Sequence, residues 1–274
     1  MAWRRPPRPE PPGRAAGDAA SVPPGPSGAA PARPSRPSRP GPKPPVLAIC
    51  IDDLGQSRQP VEWFERHRYP LNAAVLPFLP FSEESARRLS AAGVEVLCHL
   101  PMQPEDPDLT PPGPGAILFG TGEPDLKAAV ARALDAIPFA RGFNNHMGSA
   151  LTADRLYMRW VLEAARGRVD YFLDSRTTAD TVAEAVGNDL GFPVLRRHVF
   201  LDDRVEPAAI RRQLNAAVEA ASRHPWAVAI GHPHPATLDT LARELPRLAA
   251  RTRLAHLSEL ARSPAPAHPV VRRP

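Results

Sequence analysis

No stretch of this 274-residue chain approaches the roughly 20 consecutive apolar residues needed to cross a bilayer. Arg4-Arg5 is not followed by the apolar core of a secretory leader. On these grounds the chain reads as soluble and cytoplasmic. Only two cysteines occur, Cys50 and Cys98. Both fall inside apolar strand patterns and read as small buried hydrophobes rather than as a disulfide or a ligand pair. A Gly-rich phosphate loop is also missing: Asp52-Asp53-Leu54-Gly55 is neither G-x-G-x-x-G nor a Walker sequence. That argues against a nucleotide enzyme.

Proline is abundant and unevenly placed. Residues 1–45 hold 15 of the 37 prolines, with eight Lys/Arg against Glu10 and Asp18. Such a segment cannot bury enough apolar surface to offset its ordering entropy. It is expected to be a disordered, partly polyproline II tail. Its net charge of +6 exceeds the +5 of the whole chain, so the remainder is at −1. The basic character therefore belongs to the tail and not to a folded face, and few aromatics accompany it. A nucleic-acid partner is not expected. Contact of the tail with anionic polymer or lipid surfaces is.

From Val46 onward strand-like and helix-like segments alternate. The strands are expected at 46–51, 71–76, 94–98, 139–143, 169–173, 193–195, 198–201, 226–230 and 253–257. Helices are expected at 60–67, 82–93, 124–136, 152–165, 178–190, 206–222 and 237–250, and the Pro-rich 101–122 stretch reads as a long loop. Repeated β-α units imply a parallel sheet with right-handed crossovers. Seven or eight units in this length favour an α/β fold closed into a barrel. One domain is expected over 46–262, followed by a frayed Pro-rich C-terminus at 263–274.

The polar residues gather where the strands end. Asp52 and Asp53 follow the first strand, His99 and Gln103 the third, Asn144, Asn145 and His146 the fourth. Asp174 and Arg176 follow the fifth, and His232 and His234 the last strong one. In a β/α barrel all of these lie on the C-terminal rim, where such folds do chemistry. Two adjacent carboxylates resist joint ionisation unless a cation or a shared proton relieves them. The same pair also suits a solvated turn closing the strand. One carboxylate and two imidazoles form a common catalytic set for zinc or another first-row divalent ion, and Asp53, His99 and His146 are the candidates. Asp52 would then act as general base and His232 as general acid. Asp174 would orient an imidazole, Arg176 would hold Asp52 ionised, and Asn144 and Asn145 would bind substrate or shape the turn. Gly231-His-Pro-His-Pro235 also reads as a rigid turn.

These residues resemble a known family. Ile51-Asp-Asp-Leu-Gly55 resembles the T-F-D-D-G motif of polysaccharide deacetylases. Residues 91–104 resemble their A-x-G-H-E-I-x-x-H-[ST]-x-x-H-P motif in register. The combination of I-D-D-x-G, H-L-P-M, N-N-H-M-G-S (144–149), D-S-R-T (174–177) and G-H-P (231–233) resembles the divergent polysaccharide deacetylase family over about 46–260. The resemblance implies an irregular (β/α) barrel of about seven strands and a divalent metal, with zinc expected. It implies hydrolysis of N-acetyl groups on an envelope polysaccharide such as peptidoglycan, a carbon–nitrogen bond other than a peptide bond. It assigns Asp52 as base, Asp53 and His99 as ligands, and His232 to the final motif. The family's second motif histidine falls on Gln103, so His146 is expected to fill that ligand position. The R-x-P-Y motif, which carries the arginine beside the base, is not visible. Those two departures leave open an alternative, a catalytically silent barrel that binds envelope glycan. The resemblance places the protein in the periplasm or envelope, although this chain shows no signal peptide.

Overall fold

A computed structural model describes residues 44–262. The expected tail and the frayed C-terminus lie outside the described residues, apart from Pro44 and Pro45. The strands are β1 (Val46–Leu54), β2 (Asn72–Val75), β3 (Glu95–Met102), β4 (Gly142–Met147), β5 (Tyr171–Asp174), β6 (Val194–Arg196), β7 (Val199–Phe200), β8 (Ala227–Gly231) and β9 (Arg253–Leu254). The α-helices are α1 (Gln59–Arg66), α2 (Ser82–Ala91), α3 (Glu123–Asp135), α4 (Arg155–Ala165), α5 (Ala183–Leu190), α6 (Pro207–Arg223), α7 (Pro235–Arg251) and α8 (Leu257–Ala261). None is long and apolar enough to cross a membrane.

All strand pairs are parallel, in the order β6-β5-β4-β3-β2-β1-β8-β7, with β9 beside the start of β1. The two ends of that order are successive pieces of one segment. β6 pairs with β5, and two residues later the chain crosses so that His198 N–H donates to Val228 O and β7 pairs with β8. The sheet thus closes along the chain into a barrel of seven staves, the seventh shared by β6 and β7. This is the irregular (β/α) barrel that the sequence implies.

Strand side chains alternate between two faces. Leu47, Ile49 and Ile51 face the helices, whereas Ala48 and Cys50 join Leu97, Tyr171, Leu173, Val228 and Ile230 in an inner core. Helix α8 closes the lower end: Leu257 and Leu260 belong to the inner core, and Glu95 accepts from Ser258 N and from Tyr171 Oη (2.8 and 2.7 Å). A Cβ at Gly142 would fall inside the contact distance of the Tyr171 ring, which is fully buried and held by that bond. Gly142→Ala is therefore expected to destabilise the barrel by about 1–3 kcal/mol, as read from the urea midpoint.

Several boundaries differ from expectation. Strand β4 runs through Asn144, Asn145 and His146 instead of ending before them. Thr152 does not cap α4. It lies in a short 3-10 turn, and Asp154 accepts from Leu156 and Tyr157 N–H to start the helix. Helix α5 begins at Ala183, because residues 175–181 form a loop organised by Asp174.

Candidate metal centre on the barrel rim

The inward rows of the barrel lead directly to the site. Ala48 and Cys50 continue to Asp52, Leu97 continues to His99, and Val228 and Ile230 continue to His232. Period-two alternation brings one polar side chain from each strand to the upper layer. It would also turn Asp53 away from Asp52. A bulge prevents this: the β1–β2 register shifts between Ile51 and Leu54, and Asp53 adopts φ +59°. Bulges re-aim side chains, and strained backbone of this kind concentrates at functional sites. Met147 and Arg176, also on the rim, share positive φ values of 54° and 51°.

Three donor atoms converge. Asp53 Oδ1 lies 2.9 Å from His146 Nδ1 and 3.1 Å from His99 Nε2, and those nitrogens are 3.2 Å apart. Asp53 Oδ1 is buried without a properly aligned hydrogen-bond donor. Four-coordinate bonds of about 2.0 Å imply ligand–ligand edges of about 3.3 Å, close to this triangle. The donor set and the orphaned oxygen therefore fit a divalent ion. Burial alone would raise the Asp53 pKa, but the nearby His146 and His99 imidazoles hold it well below the ordinary carboxylate range. Burial lowers the pKa of His99, but Asp52 and Asp53 outweigh that and lift it to about 9.

Asp52 is buried, with its Oδ2 3.8 Å from His99 Nε2. Asn144 links the two: its Nδ2 donates to both Asp52 oxygens (3.0 and 2.9 Å), and its Oδ1 faces His99 Nδ1 at 2.8 Å. One amide thereby orients the His99 ring, with Nδ1 towards Asn144 Oδ1 and Nε2 towards Asp53. Asn145 accepts from Ser175 N–H and donates to Met147 O and Thr177 Oγ1, so it pins the β4 and β5 loops together.

Opposite the triangle, His232 Nε2 is 4.0 Å from Asp53 Oδ2. Its Nδ1 donates to Asp202 Oδ1 at 3.0 Å, while Asp202 Oδ2 accepts from His232 N and Thr237 Oγ1. Burial lowers the His232 pKa, but Asp202, together with the charges of Asp52 and Asp53, more than offsets this and raises it. Asp202 follows β7 and is absent from the sequence-based candidates. A signal existed, since Leu201-Asp202-Asp203 repeats the strand-then-carboxylate pattern of β1.

Two expectations need correction. Asp174 orients no imidazole. Its oxygens accept from Arg176 N and Thr181 Oγ1 and shape the loop after β5; Asp202 does the orienting. Arg176 lines the cleft, but Asp52 takes its hydrogen bonds from Asn144 and from the Cys50 thiol, and no described arginine forms an ion pair with it. The more enclosed cation is Arg197, which lies at the β6–β7 crossing. It donates to Ser175 O (2.6 Å) and Arg176 O (2.8 Å) and lines the same cleft as Asp52. Burial and Arg176 lower its pKa, against the opposing fields of Asp174 and Asp52. Gln103 is not in the triangle. Its Oε1 accepts from Phe119 N at 2.7 Å and ties down the loop after β3, while His146 occupies the remaining corner.

Two clefts meet at Asp53 and His232. One of ≈ 350 Å³ holds the triangle, and one of ≈ 420 Å³ extends past Trp63 and Gln59 on α1.

A family profile described as divergent polysaccharide deacetylase matches residues 49–261. The uncharacterized protein YibQ of Escherichia coli (strain K12) is 35% identical over 218 residues, 80% of this chain and 68% of that protein. An uncharacterized protein of Haemophilus influenzae is 34% identical over 224 residues, 79% of this chain and 77% of its own. The crystal structure of an uncharacterized protein from Agrobacterium tumefaciens C58 superposes with a TM-score of 0.75 at 21% identity. The match covers 80% of this chain and 90% of that one and is a likeness of fold.

Proposed function

The chain belongs to the divergent polysaccharide deacetylase family, and we propose that it hydrolyses N-acetyl groups on an envelope polysaccharide, with peptidoglycan the leading candidate. The observation that carries this reading is the Asp53–His99–His146 triangle with a second buried carboxylate, Asp52, beside it and the His232–Asp202 pair opposite.

Asp53, His99 and His146 would hold a divalent ion, with zinc favoured by two imidazoles and one carboxylate. When bound, that ion polarises the amide carbonyl and makes water a better nucleophile near neutral pH. Asp52 receives the proton of the attacking water as its oxygen bonds to the acetyl carbon. Asn144 keeps Asp52 aimed at the site through two hydrogen bonds. His232 gives a proton to the amide nitrogen as the carbon–nitrogen bond breaks. Acetate and a free amine on the sugar result. Asp202 fixes the His232 ring so that Nε2 faces the site. The two clefts give the glycan room on either side of the scissile amide.

Against the silent-barrel alternative stands His146, which supplies the corner that Gln103 does not. The test is acetate release by the purified protein from N-acetylated chitooligosaccharide or peptidoglycan. Release is expected with Zn²⁺, lost after chelation and restored by added metal. No release from either substrate by the metal-loaded protein would refute the reading.

A further inference from the structure

The deacetylation chemistry leaves one rim imidazole unused. His234 is exposed, precedes the first residue of α7, and makes no side-chain bond to cap that helix. Alternate residues of an extended segment project the same way, and Pro233 and Pro235 restrict the backbone around them. The His232 and His234 rings accordingly lie 6.0 Å apart. Asp202 completes a group: one ligand atom from each of Asp202, His232 and His234 lies within 4.8 Å of the others. None of the three belongs to the Asp53–His99–His146 triangle.

We propose that Asp202, His232 and His234 form a second divalent-metal site of lower affinity, and that Zn²⁺ bound there inhibits the enzyme. The site stands on its own geometry; the inhibition rests on the deacetylase reading. Two imidazoles and a carboxylate are a zinc-type donor set. Affinity is lower than at the triangle because His234 is exposed, whereas His99 is buried. His232 Nδ1 donates to Asp202 at 3.0 Å, and that proton passes to solvent when the nitrogen binds metal. Inhibition follows from the same exchange. A metal on Nδ1 leaves the ring with one proton, on Nε2. Surrendering it would create an imidazolate, so the ring becomes a far weaker acid than imidazolium and stops protonating the leaving nitrogen.

Equilibrium dialysis against Zn²⁺ tests this in three proteins. The wild type should show one tight and one weak equivalent. His234→Gln, which removes no helix-capping bond, should keep the tight equivalent and weaken the other by more than the roughly 10–100-fold that loss of an outer hydrogen bond costs. His99→Ala should lose the tight equivalent and keep the weak one. Acetate release by the wild type should fall as the weak site fills, and release by His234→Gln should resist excess zinc. A single class of site in the wild type at large zinc excess, or a weak class unchanged in His234→Gln, overturns the proposal. A single tight class with acetate release overturns the second site and leaves the deacetylase reading standing. A weak class lost only in His234→Gln, in a wild type that releases no acetate, upholds the site and removes that reading together with the inhibition.

Discussion

Purified His99→Ala protein is expected to carry no stoichiometric tight divalent metal, where the wild type carries one equivalent. His99 is the pivot of the triangle, 3.1 Å from Asp53 Oδ1 and 3.2 Å from His146 Nδ1. Its ring is already oriented, since Asn144 Oδ1 holds Nδ1 at 2.8 Å. Removing an outer hydrogen bond from a metal site costs roughly 10–100-fold in affinity, and removing a ligand should exceed that range. His146→Ala should behave alike. Gln103→Ala should keep its metal, because the Gln103 side chain serves Phe119 N–H instead. Elemental analysis after gel filtration reads all three. Unchanged metal in both histidine variants would dismantle the centre.

The same residue sets a pH dependence. Asp52 and Asp53 overcome the cost of burial and raise the His99 pKa from 6.5 to about 9. A group whose folded pKa is raised stabilises the fold fully below its unfolded pKa and loses that contribution as pH rises through the folded value. Chelator-treated protein should therefore lose stability between about 6.5 and 9. Metal affinity should change in the opposite sense. One proton leaves His99 for each ion bound, so affinity should rise by roughly tenfold per pH unit until His99 deprotonates without help. Melting curves with chelator and with zinc across that window check both slopes. The difference should vanish in His99→Ala.

Much of this centre is legible along the chain, for a physical reason. Strands β1, β3 and β8 are buried on both faces, so they read as apolar runs, and Asp52, His99 and His232 announce themselves by interrupting or ending those runs. Strand β4 escapes that logic. Asn144, Asn145 and His146 are polar yet lie within the strand, because Asn144 spends its amide on Asp52 and His99 and Asn145 spends its own on the loop after β5. An apolar pattern cannot show a strand whose partners are other polar side chains. Asp202 is hidden differently. It stands 30 residues before His232, and only the pairing of β7 with β8 brings the two together. Arg197 sits at the crossing where one segment changes neighbours, a feature of closure with no local signature. Nor does the Asp52-Asp53 dipeptide reveal its bulge: two adjacent strand residues normally face apart, and only the +59° φ at Asp53 turns both inward.

That bulge sets two neighbouring carboxylates apart in position, and the proposed reaction gives them different work. Asp52→Asn is expected to keep the metal and lose the reaction. Asp52 stands outside the triangle, its nearest approach to a triangle nitrogen being 3.8 Å, so occupancy should survive. The proton acceptor is gone, and kcat should fall by about 10²–10⁴. The new amide also meets Asn144 Nδ2, which now donates to both Asp52 oxygens. Asn144 cannot flip freely to accommodate it, because its own Oδ1 serves His99. A stability loss of about 1 kcal/mol should accompany the change, too small to unfold the barrel. Asp53→Asn should show the reverse order of effects: metal is lost first, and activity disappears because the centre is empty. Measuring acetate release and metal content on the same preparations separates the two. An Asp52→Asn protein that retains both metal and wild-type kcat would remove Asp52 as the base. The proton would then have to go elsewhere, and His232, paired to Asp202 and facing Asp53, would be the acceptor to test next.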